Sequence, residues 1–478
     1  MPSKQTRRRF LQLLSAGLIL PVMPVASMGA SSRLSTEQSE GDIKVWSTCG
    51  EKRFAEGTAL KWRTAAANEN GQTIYLKPEK KFQEILGFGA AFTDAACSTF
   101  NQIEANSRAR LFHELFDGKE MGLNVCRSCI GASDYSATVY SFDDGDADAE
   151  LKRFSIEHDR AYILPMLRLA RKINPDLFLF SSPWSPPGWM KSNGSMLGGN
   201  MQRKYMSSYA HYFLKFLRAY EAEGVPVQAV TVQNEVDTDQ DGRMPACAWP
   251  QEYEADFVRF FLGPLLEKEG VKTKIWLLDH NYNLWGRALD ELELPDLRKY
   301  AGGIAWHGYV GQPEAMTRVH DAYPDVGAYW TEGGPEYSAP DYLADWAQWG
   351  KTFTGILRNW SRSITAWNLA LDEVGKPNVG PFSCGGLVSF NGKTKEITRS
   401  GQYWALGHFS RCIKRGAKRI DSQANLKDID HVAFENPDGQ RVLVLTNSGA
   451  ARKTTLQIGG QQAELDLERS SMTTIAWR

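Results

Sequence analysis

Between Glu84 and Leu371, eight short apolar runs alternate with amphipathic helical stretches, and this alternation leaves few folds open to the chain. The runs are ILGFGAAFTD, LNVCRSCIGASD, LFLFSSPWSPP, VQAVTVQNEVD, KIWLLDHN, GIAWHGY, VGAYWTEGG and SITAWNLALD. Helical spacing is clearest in AYILPMLRLARKI and YMSSYAHYFLKFLRAYEAEG. Parallel strands need a crossover to bring the chain back, and eight strand units in βα alternation are what a (β/α)8 TIM barrel requires. Outside this region the pattern is β. Residues 43–78 hold short runs (IKVWSTCG, TALKWRT, TIYL), and HVAFENPDGQRVLVLTNSG predicts a hairpin around Pro437-Asp438-Gly439. No helix is expected after residue 400. The expected architecture is α/β: a barrel over residues 79–400, with a β-sandwich assembled from residues 43–78 and 401–478.

The N-terminus has the layout of an export signal. Arg7 and Arg8 form a twin-arginine pair before an apolar run from Leu13 to Ala26, and small residues follow. Residues 1–30 are therefore expected to be removed, and the protein to be periplasmic or secreted. Losing Lys4, Arg7, Arg8 and Arg9 and no acid takes the net charge from −1 to −5. That balance offers no basic field for nucleic acid, and no other stretch is long and apolar enough to span a membrane. Seven cysteines make no disulfide framework. Cys126 and Cys129 form a CxxC, but on a strand residues three apart face opposite sides, so buried thiols are expected there. No metal or cofactor signature is present.

In a (β/α)8 barrel, working residues gather where strands end and βα loops begin. Here those ends carry Asp94, Arg127 with Asp134, Trp184, Asn234-Glu235, Asp279-His280, His307 with Tyr309, Glu332, and Trp367-Asn368. Glu235 ends the fourth run and Glu332 the seventh, so both face one barrel mouth. Paired carboxylates on separate strands suit glycosidic bond cleavage. One protonates the leaving oxygen while the other captures or stabilises the oxocarbenium-like carbon. Fifteen Trp residues are either ordinary core packing or aromatic faces on which sugars could stack, and core packing is the commoner use.

The motifs in order resemble glycoside hydrolase family 30, in the branch typified by lysosomal glucosylceramidase. They are GFGAAFTDAA, LNVCR, SSPWSPPGWMKSNG, VTVQNE, GIAWHGY, YWTEGG and TAWNLALDEVGKPN, followed by QYWALGHFSRCIKRGAKRI. The resemblance covers about Phe82 to Arg419. It implies retention, with Glu332 as nucleophile and Glu235 as general acid and then base. Arg127 would support the nucleophile and Asn234 would bond the sugar 2-hydroxyl. Asp94, Trp184, Tyr309 and Trp367 would hold the sugar, and His307 is either a site residue or a structural histidine. Like-charge coupling to Glu332 is expected to raise the pKa of Glu235 until the covalent intermediate forms. The implied substrate is a carbohydrate or glycoconjugate with β-linked glucose. A β-1,6-glucan, β-xyloside, β-fucoside or β-galactoside is the alternative, and a non-catalytic glycan-binding barrel is disfavoured because both acids are present. The chain departs from its relatives at Val236-Asp237, where they commonly have Pro. There it begins a polar loop (Asp237, Asp239, Asp241, Arg243) that either binds sugar hydroxyls or faces solvent.

Overall fold

The computed structural model describes residues 43–65 and 72–478, and the expected signal segment lies outside them. The eight runs form eight parallel strands: β1 (Gly87–Phe92), β2 (Val125–Cys129), β3 (Phe178–Ser182), β4 (Ala229–Thr231), β5 (Lys274–Asn281), β6 (Ala301–His307), β7 (Ala328–Glu332) and β8 (Ser361–Ala366). They close into a barrel when Ser363 of β8 pairs with Gly87 of β1. Gly89 permits the tight approach of β1 to β2, because a Cβ there would lie 1.9 Å from the carbonyl oxygen of Val125.

Side chains alternate along a strand, so each strand sends every second residue inward. The lower interior is apolar: Val125, Phe180, Ala229, Trp276, Ala305 and Tyr329 pack together, with Trp276 stacked on Tyr329 at 4.0 Å. Two residues further along β2, β3, β4, β6 and β7 come Arg127, Ser182, Thr231, His307 and Thr331, all fully buried. On β5 the corresponding residue is Asp279, three beyond Trp276. The register explains the offset: Ala305 pairs with Leu278 and the next residue, Trp306, pairs with His280, which leaves Asp279 as the extra residue of a bulge. A bulge re-aims side chains. Here Asp279 joins the buried polar layer while its neighbour His280 lines the cleft above.

Helices cover the barrel as their periodicity requires. In Ile163–Ile173 the buried residues are Ile163, Leu164, Met166, Leu167 and Ala170, one continuous face. One expectation fails here. Residues 401–410 form a helix, Gly401–Ser410, capped by the Ser400 hydroxyl, which accepts from the Tyr403 N–H at 3.2 Å. Nine of its ten residues are buried, so it has no polar stripe by which helical period could be recognised. The strand Thr73–Glu84 also runs past residue 78, pairing with Lys418–Gln423 as far as Glu84.

The β-sandwich is a ladder of ten strands from both chain ends. Its core includes Ile43, Trp62, Ile74, Leu443, Ile475 and Trp477. The strand Ser471–Trp477 lies between Lys44–Cys49 and Arg441–Asn447, and the expected hairpin joins Ile429–Glu435 to Arg441–Asn447. His408, on the helix Gly401–Ser410, bonds Thr474 Oγ1 at 2.9 Å and Thr48 Oγ1 at 2.8 Å, tying barrel to sandwich. Cys126 and Cys129 are buried free thiols. Among the described residues no helix is long and apolar enough to cross a membrane.

Candidate active site

Asp279 is the hub beneath the cleft. Its Oδ2 accepts from Arg127 Nη2 (2.7 Å), Ser182 Oγ (2.8 Å) and Thr231 Oγ1 (2.7 Å). Its Oδ1 accepts from Thr331 Oγ1 (2.8 Å) and lies 3.1 Å from His307 Nε2. Burial would raise this carboxyl, but Arg127 and His307 hold it far below the usual carboxylate range. The guanidinium makes four hydrogen bonds: besides Asp279 it bonds Glu332 Oε2 through Nη1, Asn234 Oδ1 at 2.8 Å and Ser182 Oγ at 3.1 Å. Its carbon sits 4.6 Å from the ring centre of Trp184 and 5.5 Å from that of Trp367. A buried cation gripped this fully fixes the two anions on either side of it.

Glu332, at the end of β7, presents Oε1 to the hydroxyl of Tyr309, which donates at 3.1 Å. The loop carrying Tyr309 is set by Asn281, whose Oδ1 accepts the N–H groups of Tyr309 and Val310 at 3.0 and 3.1 Å. Glu235 lies four residues beyond β4 in a left-handed conformation (φ 54°), with its N–H bonded to the carbonyl of Asp279. Such backbone in a non-glycine residue is held only by its surroundings. Gln240 Nε2 donates to Glu235 Oε2 at 2.7 Å. Glu235 Oε1 faces two imidazole nitrogens, His307 Nδ1 at 3.5 Å and His280 Nδ1 at 3.7 Å. His280 is steered from behind by Asp237, 2.6 Å from its Nε2. One ring, His307, thus reaches both carboxylates, since its Nε2 is 3.9 Å from Glu332 Oε2.

The electrostatics correct one expectation. Burial acts to raise Glu235, but its interaction with His307 and the charge of His280 outweigh burial, and the carboxyl lies below its ordinary range. The two imidazoles rather than a like charge therefore set it. His307 is itself pushed up to about 9: burial opposes the shift, while Glu332, Asp279 and Glu235 drive it.

Glu235, Glu332, Asn234, Trp184, Tyr309 and Trp367 all line one cleft of about 470 Å³, with Arg127 and His307 beneath it. Trp184 and Trp367 stack at 5.0 Å as one wall. Asp94 is not brought into the lining. It begins the helix Asp94–Gln102, and its carboxylate accepts the Ala137 N–H at 2.7 Å and the Tyr162 hydroxyl at 2.5 Å, so it ties loops together outside the cleft. Asp134 lines the cleft in its stead. Burial and the charges of Glu332 and Glu235 push its carboxyl well above the ordinary range, which suits a hydrogen-bond donor to a sugar hydroxyl. The polar loop contributes Asp237 and Gln240 to the lining, and Val236 is buried with its carbonyl accepting from Trp249 N–H. Asp279 and Asp134 were visible in the sequence as strand-end acids, but the bulge that turns Asp279 inward has no sequence signature.

Residues 85–413 match the model of the glycosyl hydrolase family 30 TIM-barrel domain and residues 416–475 that of the family 30 β-sandwich domain. An endo-1,6-β-D-glucanase of Neurospora crassa is 32% identical over 78% of this chain and 81% of its own length. The lysosomal acid glucosylceramidase of Mus musculus is 30% identical over 79% of this chain and 77% of its own. The crystal structure of SrfJ from Salmonella typhimurium superposes with a TM-score of 0.87 at 27% identity, covering 91% of this chain and 99% of that one.

Proposed function

The chain belongs to glycosyl hydrolase family 30, and from that premise we propose that it is a retaining β-glycosidase acting on β-linked glucose. The observation that carries the reading is the unequal company of two carboxylates lining one cleft. Glu332 sits against Arg127 and Tyr309, whose hydrogen bonds aim it, as a nucleophile requires. Glu235 sits against imidazoles and an amide, in contact with groups that can pass or hold a proton. Glu332 attacks the anomeric carbon as the bond to the leaving oxygen breaks, and that oxygen takes a proton from Glu235. Water then attacks the glycosyl ester, giving its proton back to Glu235 and freeing Glu332. Glu235 needs a proton only for the first step, and His307 Nδ1, 3.5 Å away, is the nearest store of one. Asn234, oriented by Arg127, serves the 2-hydroxyl, Asp134 replaces Asp94 as a sugar-binding acid, and Trp184 with Trp367 forms the stacking wall.

The glucosyl half is common to both classes of relative, and the leaving group divides them. A glucosylceramide-like aglycone is supported by the exposed apolar rim of Val310 and Phe382. A β-1,6-linked glucan is the second reading, supported by the Neurospora relative and by the polar side of the cleft at Asp237, Gln240 and Asn283. Hydrolysis of an aryl β-D-glucoside followed by proton NMR should release the β-anomer first, and initial release of the α-anomer would sink retention. Glu332→Gln should lower turnover by at least about 10³-fold with the melting curve unchanged. Relative rates on glucosylceramide micelles and β-1,6-glucan then assign the leaving group. The reading includes export through Arg7 and Arg8. Replacing both with Lys should leave the protein in the cytoplasm on cell fractionation, and unchanged export would refute it.

A further inference from the structure

The side of the cleft around Glu235 has donors arranged for more than a proton. Glu235, His280 and His307 each offer one ligand atom within 4.8 Å of the other two. Both Nδ1 atoms are buried and have no hydrogen-bond partner, although a buried polar atom normally has one. Each ring is fixed from behind by a carboxylate at Nε2: Asp237 Oδ1 at 2.6 Å for His280, and Asp279 Oδ1 at 3.1 Å for His307. A carboxylate behind a histidine holds a proton on Nε2 and fixes the ring with Nδ1 facing forward, the orientation found at most histidine metal sites.

We propose that Glu235, His280 and His307 bind a zinc-like divalent cation, and that this ion shuts the enzyme off by occupying its acid/base carboxylate. Bonds of about 2.0–2.2 Å in a tetrahedron place ligand atoms roughly 3.3–3.6 Å apart. The carboxylate oxygen already stands 3.5 and 3.7 Å from the two nitrogens. The two rings must also draw together, since their ligand atoms lie within 4.8 Å of each other, and a tetrahedral ion would keep a fourth position for water. Two imidazole nitrogens and one carboxylate favour zinc, copper or cobalt over magnesium and calcium, which take oxygen ligands. Asp237, Asp279 and Glu332 nearby help to offset the added charge.

The effect on turnover rests on Glu235 as the acid/base, but the binding does not, so the experiment reads both. The full chain, stripped of metal and carrying no polyhistidine tag, is titrated with Co²⁺. One equivalent should give the visible ligand-field bands of a low-coordinate nitrogen and oxygen site, and Zn²⁺ should bleach them. Zn²⁺ should also inhibit aryl β-D-glucoside hydrolysis competitively and reversibly to EDTA, while Mg²⁺ and Ca²⁺ do not. Asp237→Asn removes only the support behind His280 and should weaken Co²⁺ binding by about 10- to 100-fold. His280→Gln should weaken it at least as much, with melting curves checking that both variants fold. No stoichiometric complex at millimolar Co²⁺, or equal affinity in the wild type and His280→Gln, overturns the site. Stoichiometric binding that leaves turnover untouched keeps the site and instead removes Glu235 from its acid/base role.

Discussion

Two buried histidines in this molecule occupy opposite protonation states. His307, at the barrel mouth, is pushed up to about 9, whereas His408, at the seam between barrel and sandwich, is pushed down to about 3. Both are fully buried, and burial drives both downward. The partners make the difference. His307 has Asp279, Glu235 and Glu332 around it, while His408 has only the hydroxyls of Thr48 and Thr474, with Arg411 adding positive charge. His431, bonded to Ser422 Oγ at 2.9 Å in the sandwich, follows His408 and is pushed down to about 4. Hydroxyls suit a neutral ring that only has to hold two layers together. Carboxylates suit a charged ring that has to hold and release a proton.

Asp279→Asn should break this contrast most severely. It keeps the side chain's shape but removes the anion that grips Arg127 and His307. Breaking a buried ion pair on one side costs about 3–5 kcal/mol. Urea denaturation should show that loss, and NMR should show the His307 pKa falling. A stability loss below about 1 kcal/mol would deny Asp279 its place as hub. The pH dependence of stability should show a smaller effect, with opposite signs in the two regions. His307 has a raised folded pKa, so its contribution is full below about pH 6.5 and is lost as pH climbs through about 9. His408 and His431 have depressed folded pKa values. Their contribution is full above about pH 6.5 and is lost as pH falls toward 4 and 3, with a slope of up to about 1.4 kcal/mol per pH unit for each ring. His408→Gln retains an amide for the two threonines and does not titrate, so it should flatten the acid limb while leaving the alkaline limb alone. An acid limb of unchanged slope would mean that His408 does not govern it.

The same contrast bears on what was legible in the sequence. The barrel was, because each apolar run is long enough for a strand and the helices between them have one apolar face. Glu235 and Glu332 were, because strand ends in a barrel converge. Asp94 stood out because it also follows a strand. Yet Thr93 before it accepts from the Ala96 N–H and starts a helix, and an acid in a helix's first turn has a structural use of its own. Asp134 sits further into a loop, where no periodicity says which way a side chain points. The bulge in β5 depends on pairing with β6, a relation between residues far apart in the chain. The helix Gly401–Ser410 went unread for the converse reason: buried on every side, it offered no pattern.

The strand order of the sandwich sets a timetable for synthesis. Lys44–Cys49 is among the first segments of the described chain to emerge from the ribosome, and its partner Ser471–Trp477 is the last. That last strand is also the one that joins Lys44–Cys49 to Arg441–Asn447. The barrel can gather its strands one neighbour at a time as they appear, but its closing pair and the sheet beside it must wait for distant segments. Until Ser471–Trp477 has emerged, Lys44–Cys49 waits with an unpaired edge, the state in which a chaperone would find it.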